Sequence, residues 1–186
     1  MRFENISKIY GDKVVLNNFS ADIPENKTTC ILGKSGAGKS TLTGIALGIE
    51  KADFGKVSFD SPPTFSAVFQ DDRLLPFSSL TENITFVGAT KEAARNMLAA
   101  VGLEKEQDDL PDTLSGGMKR RLALARALCR PGYTHLVLDE PFTGQDEVTK
   151  EKLIELIKKE TAGKTVILIT HNEEDVKRLA DNIIRL

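Results

Sequence analysis

A glycine-rich segment near the N-terminus has the residue types and the spacing that bind nucleotide phosphates. Its pattern, GxxxxGK[ST], stands between a short apolar run and a helical stretch, which is the context that this motif requires. Glycines let the backbone wind closely around phosphate oxygens, and the helix N-terminus adds partial positive charge. Lys39 would contact the β- and γ-phosphates, and Ser40 would offer Mg²⁺ an oxygen. The loop consists of Gly33, Lys34, Ser35, Gly36, Ala37, Gly38, Lys39, Ser40 and Thr41.

Two adjacent acids end a second apolar run, HLVLDE, over residues 135–140. Ligands of parallel sheets bind at the carboxyl ends of the strands. Asp139 is therefore predicted to lie beside Mg²⁺ and Glu140 beside the γ-phosphate. Two acids at a strand end could also cap the next helix, but the phosphate-binding loop favours the catalytic interpretation.

A third motif, LSGGM, opens a long helix further along the chain; it consists of Leu114, Ser115, Gly116, Gly117 and Met118. Its glycines and the helix N-terminus make a second anion-binding site. A single nucleotide has little use for two separate phosphate cradles. With this motif the chain resembles the nucleotide-binding subunit of an ATP-binding-cassette (ABC) transporter. In that family the LSGG signature of one subunit closes on the γ-phosphate held by the phosphate loop of its partner.

The resemblance covers essentially the whole chain and implies roles for further residues. Tyr10 matches the aromatic residue that stacks on adenine, and Gln70 matches the glutamine that senses Mg²⁺ and the attacking water. Glu140 matches the catalytic carboxylate. Asp146 matches the loop acid that crosses the dimer, and His171 matches the switch histidine at the γ-phosphate.

The reaction that the resemblance implies is ATP hydrolysis, with ATP and Mg²⁺ as cofactors. Catalysis of this kind is positioning plus neutralisation of charge on the transferring group. Glu140 would orient the water, while His171 and Lys39 would stabilise the γ-phosphoryl oxygens. The metal would be held by the set Ser40, Gln70 and Asp139.

The chain departs from the family pattern at two positions. Met118 stands where many members have Gln, and Gln145 stands where Leu is usual. Met118 and the segment 69–77, FQDDRLLPF, resemble the branch that imports nitrate, sulfonates and taurine. The resemblance therefore implies an importer whose cargo is an oxyanion such as a sulfonate or nitrate.

The family resemblance also implies protein partners. Two subunits, as a homodimer or pseudo-dimer, would enclose two ATP molecules and drive a separate membrane permease from the cytoplasmic face of the membrane. An extracytoplasmic substrate-binding protein would be a further partner. The apolar run within Asp71–Phe77 contains Pro76, which breaks any helix there. The run either packs locally or forms the groove that receives the permease.

Composition limits the remaining classes of function. The chain has 186 residues, of which 40% are apolar and 28% charged, with a formal net charge of −2. It therefore has no general electrostatic attraction to nucleic acid. The basic residues of the helix after the signature are interpreted as the solvated side of an amphipathic helix, so that no nucleic-acid partner is expected. They are Lys119, Arg120, Arg121, Arg126 and Arg130.

The pattern along the chain predicts an α/β fold, with a P-loop NTPase core and a mainly parallel sheet. A small antiparallel β region is expected at the N-terminal side, and a helical lobe at about 71–130 interrupts the alternation of strands and helices. Residues 1–186 would form a single domain. The alternative function is a soluble ABC-type ATPase not coupled to transport, although such proteins carry long coiled-coil insertions or a second cassette.

Overall fold

The computed structural model describes residues 1–34 and 36–186, and Ser35 lies outside the described residues. The strands are β1 (Arg2–Tyr10), β2 (Lys13–Asp22), β3 (Thr28–Leu32), β4 (Phe54–Ser58), β5 (Phe65–Val68), β6 (His135–Asp139), β7 (Thr165–Ile169) and β8 (Asn182–Arg185). The first sheet has three antiparallel strands in the order β2-β1-β4, and the second has five strands in the order β5-β6-β7-β3-β8 with every neighbouring pair parallel.

Helices connect these strands, and most begin at a polar residue whose side chain caps the first turn. Ser115, Asp146 and Asn172 each accept a hydrogen bond from a backbone N–H two or three residues ahead, which satisfies a donor that the helix itself cannot pair. The helices are α1 (Lys39–Ala46), α2 (Leu80–Thr85), α3 (Lys91–Ala100), α4 (Gly116–Leu128), α5 (Glu147–Glu160) and α6 (Glu173–Leu179).

The parallel sheet brings the predicted site residues to one edge. Strands β6 and β7 are buried along their whole length, as expected for central strands covered on both faces. The chain leaves β3 into the phosphate-binding loop, β5 towards Gln70, β6 at Asp139 and β7 towards His171. Because all four strands run in the same direction, these segments meet at the carboxyl edge of the sheet.

Helices α2, α3 and α4 lie between β5 and β6 in the sequence and form the helical lobe. Leu80, Ile84, Leu98 and Leu122 are completely buried in one apolar cluster that also contains residues of the parallel sheet. The fold class predicted from the sequence is therefore confirmed. No helix within residues 1–34 and 36–186 is both long enough and apolar enough to cross a membrane.

The apolar face of helix α4 is buried as expected and Arg130 is exposed, but the interpretation of the basic residues as a solvated side is wrong for three of the five. Arg120 is only 6% exposed, and Arg121 and Arg126 are half-buried. All three donate hydrogen bonds to backbone carbonyls of other segments. The physical reason is that α4 packs between β5 and the helices α2 and α3, so that its long cationic side chains reach carbonyl groups that would otherwise lack partners.

Candidate functional site

The phosphate-binding loop has the backbone geometry that its glycines predict. Gly38 has φ +95°, in the left-handed region that favours glycine, and a side chain there would approach Leu16 and Val15 of β2 to within 2.9–3.0 Å. The Lys39 ammonium donates hydrogen bonds to the carbonyls of Gly33 (2.7 Å) and Lys34 (3.0 Å). The positive charge of Lys39 is therefore held against the loop, where nucleotide phosphates would bind.

Ser40 and Asp139 meet across the sheet edge. The Ser40 hydroxyl donates to the Asp139 carboxylate at 3.2 Å, although the two residues belong to different elements. Burial raises the pKa of Asp139, the Ser40 hydrogen bond opposes that rise, and the Glu140 charge adds to it. The two side chains thus form a compact pair of oxygen donors.

Glu140 and His171 form a second contact at the same edge. The His171 Nδ1 atom lies 2.7 Å from the Glu140 Oε1 atom, and the Thr170 hydroxyl oxygen lies 3.4 Å from Oε2. The backbone N–H of Glu140 bonds the carbonyl of Ile169, and Glu140 has φ +49°. Glu140, which directly follows the end of β6, is therefore held in place by contacts with β7 and the residues after it.

These side chains line one cleft of about 940 Å³. Asp139, Glu140 and His171 face the phosphate-binding loop across it, and Gln70 contributes from the segment after β5. The predicted site residues in its lining are Gly33, Lys34, Gly36, Gly38, Lys39, Ser40, Thr41, Gln70, Asp139, Glu140 and His171. Ser35 lies outside the described residues.

Tyr10, the expected adenine-stacking residue, is 46% exposed at the end of β1 and is not among the described residues that line this cleft. Its hydroxyl donates a hydrogen bond to Glu50. That hydrogen bond, together with partial desolvation, raises the pKa of Tyr10. The ring is accessible on the antiparallel sheet, and its side chain is tied to the residues that follow α1.

The signature residues of this chain are likewise not among the described residues that line the cleft. Leu114 is buried, whereas Ser115 and Gly116 are exposed at the N-terminus of α4. The Ser115 hydroxyl caps the helix by accepting from the Met118 N–H at 3.3 Å. The signature therefore contributes no wall to the cleft beside the chain's own phosphate-binding loop.

The signature also touches the loop that carries Asp146. A side chain at Gly117 would lie 2.5 Å from the carbonyl oxygen of Gly144, so this approach requires glycine. The Gln145 side chain donates to the Gly117 carbonyl at 2.9 Å. Asp146 accepts from the backbone and hydroxyl of Thr149, and the backbone bond is the main cause that lowers the pKa of Asp146.

Arg120 belongs to the site, although the sequence interpretation missed it. It lines the cleft and donates to the carbonyls of Phe69 (2.5 Å) and Gln70 (2.6 Å). One feature of the sequence indicates this position. Arg120 stands three and seven residues before Ala123 and Ala127, so that all three lie on the same face of the helix, and this face is buried in the structure.

The residues present fit Mg²⁺. The Ser40 hydroxyl and the Asp139 carboxylate already lie in contact, and oxygen ligands are what this cation prefers. Residues 1–34 and 36–186 contain no cluster of three or more His, Cys, Asp and Glu side chains of the kind that forms an all-protein metal cage. A few protein oxygens together with substrate phosphates are the usual surroundings of Mg²⁺ at nucleotides.

The fold and the site define an ATPase of the P-loop class, and comparison with known proteins identifies its family. The chain belongs to the ABC transporter family, whose model matches residues 16–143. It is an ATP-hydrolysing subunit of this family. The family predicted from the sequence is thus confirmed.

Named relatives and solved structures agree with this assignment. The aliphatic sulfonates import ATP-binding protein SsuB of Escherichia coli (strain K12) is 39% identical over 96% of this chain and 74% of its own length. The protein of the same name from Shigella flexneri is 38% identical over the same shares. The ATP-binding cassette MJ0796, solved as a dimer in a post-hydrolysis state with ADP and Pi, has a TM-score of 0.91 and 29% identity, over all of this chain and 93% of that one.

Proposed function

We propose that this chain is the ATP-hydrolysing subunit of an importer whose cargo is an oxyanion, in the first place an aliphatic sulfonate. The observation that carries the cargo assignment is the 39% identity, over nearly the whole chain, to ATP-binding proteins named for aliphatic sulfonate import. The Met118 and Arg73–Phe77 sequence features point to the same branch. Nitrate is the other oxyanion that these features allow.

The phosphate-binding loop would hold the triphosphate through its backbone N–H groups, with Thr41 in the first turn of α1 as a further donor. Lys39 would exchange its bonds to the loop carbonyls for the β- and γ-phosphates. Its present geometry supports this role, because the ammonium already lies against the loop. Tyr10 would stack on adenine from the exposed end of β1.

Glu140 would accept a hydrogen bond from the attacking water and orient it towards the γ-phosphate. His171 would hold that carboxylate and donate to a γ-phosphoryl oxygen, as its 2.7 Å contact with Glu140 supports. Ser40 and Gln70 would bind Mg²⁺ directly, and Asp139 would act next to them. When bound, the metal neutralises charge on the phosphates and holds the nucleotide in position for the reaction.

Two subunits would complete each other's sites. Residues 114–118 and Asp146 would meet the nucleotide of the partner subunit, because the signature does not line the cleft of its own chain. Exposure of Ser115 and Gly116 at the helix N-terminus supports this arrangement. Residues 1–186 would act as one ATPase domain, with a helical lobe at about 71–130.

The permease would dock at Asp71–Phe77, on the cytoplasmic face of the membrane, and an extracytoplasmic binding protein would deliver the cargo. Phe77 is 93% exposed, whereas Leu74 packs against the core cluster. Asn83, fully buried, bonds both the N–H and the carbonyl of Leu75. The loop is thereby held with Phe77 at the surface, which supports this docking position.

The cargo is tested by growth of a strain that lacks this gene. Wild-type protein should restore growth on an aliphatic sulfonate as the only sulfur source, and Lys39→Ala and Glu140→Gln should not. Growth on sulfate should be the same in all strains. A growth defect confined to nitrate as nitrogen source would replace sulfonate with nitrate, and a defect on an unrelated nutrient would refute the proposal.

A further inference from the structure

The segment that follows β5 carries Gln70 but has no regular secondary structure of its own. Residues 69–76 leave the sheet at Val68, and Arg73 has φ +48°. A segment of this kind has carbonyl groups with no ladder partner, and these need donors from elsewhere. Helix α4 supplies them.

Two arginines of α4 bond four carbonyls of this segment. Arg120 donates to Phe69 and Gln70, and Arg126 donates to Asp72 and Arg73 at 2.8 Å each. Each guanidinium uses two nitrogens, which is the rigid two-pronged geometry that lysine cannot reproduce. The segment is therefore bonded to the signature helix from residue 69 to residue 73.

Arg120 differs from its neighbours because it also reaches the nucleotide cleft. Its side chain is 7% exposed, it lies 3.1 Å from an Asp72 carboxylate oxygen, and it lines the cleft with Gln70 and Asp139. Arg126 and Arg121 are not among the described residues of that lining. Arg121 instead bonds the carbonyls of Val101 and Gly102 after α3.

We propose that Arg120 is a positioning residue for Gln70. By bonding the Gln70 backbone, Arg120 sets the Mg²⁺ concentration that the ATPase requires for half-maximal activity. This inference rests on the proposed role of Gln70 at the metal. The Gln70 side chain is exposed, so its direction depends on where its backbone is held. Because Arg120 lies on the helix that begins after Ser115, this helix joins the signature to the Gln70 backbone.

The experiment compares Arg120→Met and Arg120→Lys with wild type, and uses Arg121→Met as the matched control. Arg121 is the adjacent residue, it also donates to two carbonyls, and it is not among the described residues that line the cleft. Gln70→Ala tests the role of Gln70 itself. ATPase activity and binding of a fluorescent ATP analogue are measured across a Mg²⁺ titration, and analogue binding is repeated in EDTA. Hydrogen exchange of the amides of residues 69–73 gives a readout independent of turnover.

Both Arg120 variants should require about tenfold more Mg²⁺ for half-maximal activity and analogue binding, since loss of groups that hold metal ligands costs about 10–100-fold in metal affinity. Binding in EDTA should stay within twofold of wild type. Amides 69–73 should exchange faster, and Arg121→Met should change neither property. If Arg120→Met does not fold, Arg120→Lys carries the test, because it keeps a charge beside Asp72 and loses only the two-pronged bond.

An unchanged Mg²⁺ response in the Arg120 variants, with a weakened response in Gln70→Ala, would overturn the inference and leave the role of Gln70 intact. An equal shift in Arg121→Met would also overturn it, because the cause would then be general loosening of the lobe. If Gln70→Ala keeps a wild-type response, the proposed role of Gln70 fails first, and the inference about Arg120 fails with it.

Discussion

The Gln145 side chain donates a 2.9 Å hydrogen bond to the carbonyl of Gly117, and so joins the loop before α5 to the first turn of the signature helix. The two backbones also touch directly, because Gly117 lies against the carbonyl of Gly144. This loop begins at Glu140. The proposed catalytic carboxylate is therefore connected to the signature of the same chain through a residue at which this sequence departs from the family pattern.

Gln145→Met should lower the ATPase rate at saturating ATP by about fivefold, the effect of one lost hydrogen bond of about 1 kcal/mol. Methionine has a similar length and no donor. ATP binding by the monomer should be unchanged, since Gln145 is not among the described residues of the cleft. Gln145→Lys keeps a donor of comparable reach and should retain more activity. Steady-state kinetics check both variants, and a Met variant with wild-type turnover would contradict a functional role for the bond.

Glu140→Gln should bind ATP and fail to hydrolyse it, because an amide of the same shape cannot orient water as the carboxylate does. ATP should then hold two subunits together, and light scattering should show a dimer with ATP and a monomer without it. Glu173→Gln, an exposed acid in the first turn of α6, is the control and should behave as wild type. Turnover by Glu140→Gln at the wild-type rate would remove the role assigned to Glu140.

Asp139 is expected to make the nucleotide-free protein less stable as pH rises. Burial raises the pKa of this carboxyl in the folded state, despite the opposing effects of Ser40, Arg120 and Lys39. Between the ordinary and the raised pKa the folded state binds more protons than the unfolded state, so the free energy of unfolding falls with increasing pH. In EDTA, Asp139→Asn should therefore melt at a higher temperature than wild type at pH 8, with the difference vanishing near pH 4. A melting temperature of Asp139→Asn below that of wild type at pH 8 would refute this account.

Lys150 of α5 and Asp175 of α6 form a buried ion pair, with 2.5 Å between Nζ and Oδ1 and side-chain exposures of 8% and 4%. Asp175 also accepts from the Thr170 hydroxyl, which contacts Glu140. The hydrogen bond to Asp175 is the main cause that raises the pKa of Lys150. The contribution of the pair is therefore fully present at neutral pH and is lost only as pH rises through that raised value.

Lys150→Met should cost about 3 kcal/mol, because it leaves a buried carboxylate without a partner. Lys158→Met is the matched control from the same helix: its salt bridge with Glu155 has exposures of 47% and 63%, and its loss should cost less than about 1 kcal/mol. Denaturant unfolding measures both. Addition of Asp175→Asn should recover part of the loss in Lys150→Met. Equal costs for the two lysine variants would show that burial does not strengthen the pair.

Most element positions could be predicted because their signals are local. The sequence pattern predicts a helix over Glu147–Glu160, which is where α5 lies, and Asp146 caps it. The sequence pattern also predicts helical character over 78–110, where the structure has two short helices, α2 and α3, separated by turns. Where α2 and α3 begin and end depends on the tertiary packing of the lobe around Leu80, Ile84 and Leu98. A single amino-acid sequence reveals that packing only indirectly.

The parts of the site that escaped prediction are contacts between segments far apart in sequence. The carbonyls that Arg120 bonds lie 50 and 51 residues away, and Gly117 lies 28 residues from Gln145. From its residue type alone, Arg120 is predicted to be an ordinary arginine on the protein surface. The motif residues were found because each carries its chemistry in its type and order, whereas Arg120 acquires its position only through the packing of α4.

Phe77 provides the test of the permease surface. It is 93% exposed, in a loop that Asn83 holds in place from within the lobe. Phe77 is the most exposed of the large apolar side chains in the described residues, and aromatic side chains are enriched at binding surfaces. Phe77→Asp should therefore abolish recovery of a co-expressed, tagged permease in a pull-down, while ATP binding by the same protein stays within twofold of wild type.

Phe54→Asp is the matched control, because Phe54 is 66% exposed on β4 of the antiparallel sheet. It should recover the permease normally. Normal recovery with Phe77→Asp, or equal loss with Phe54→Asp, would place the docking surface elsewhere.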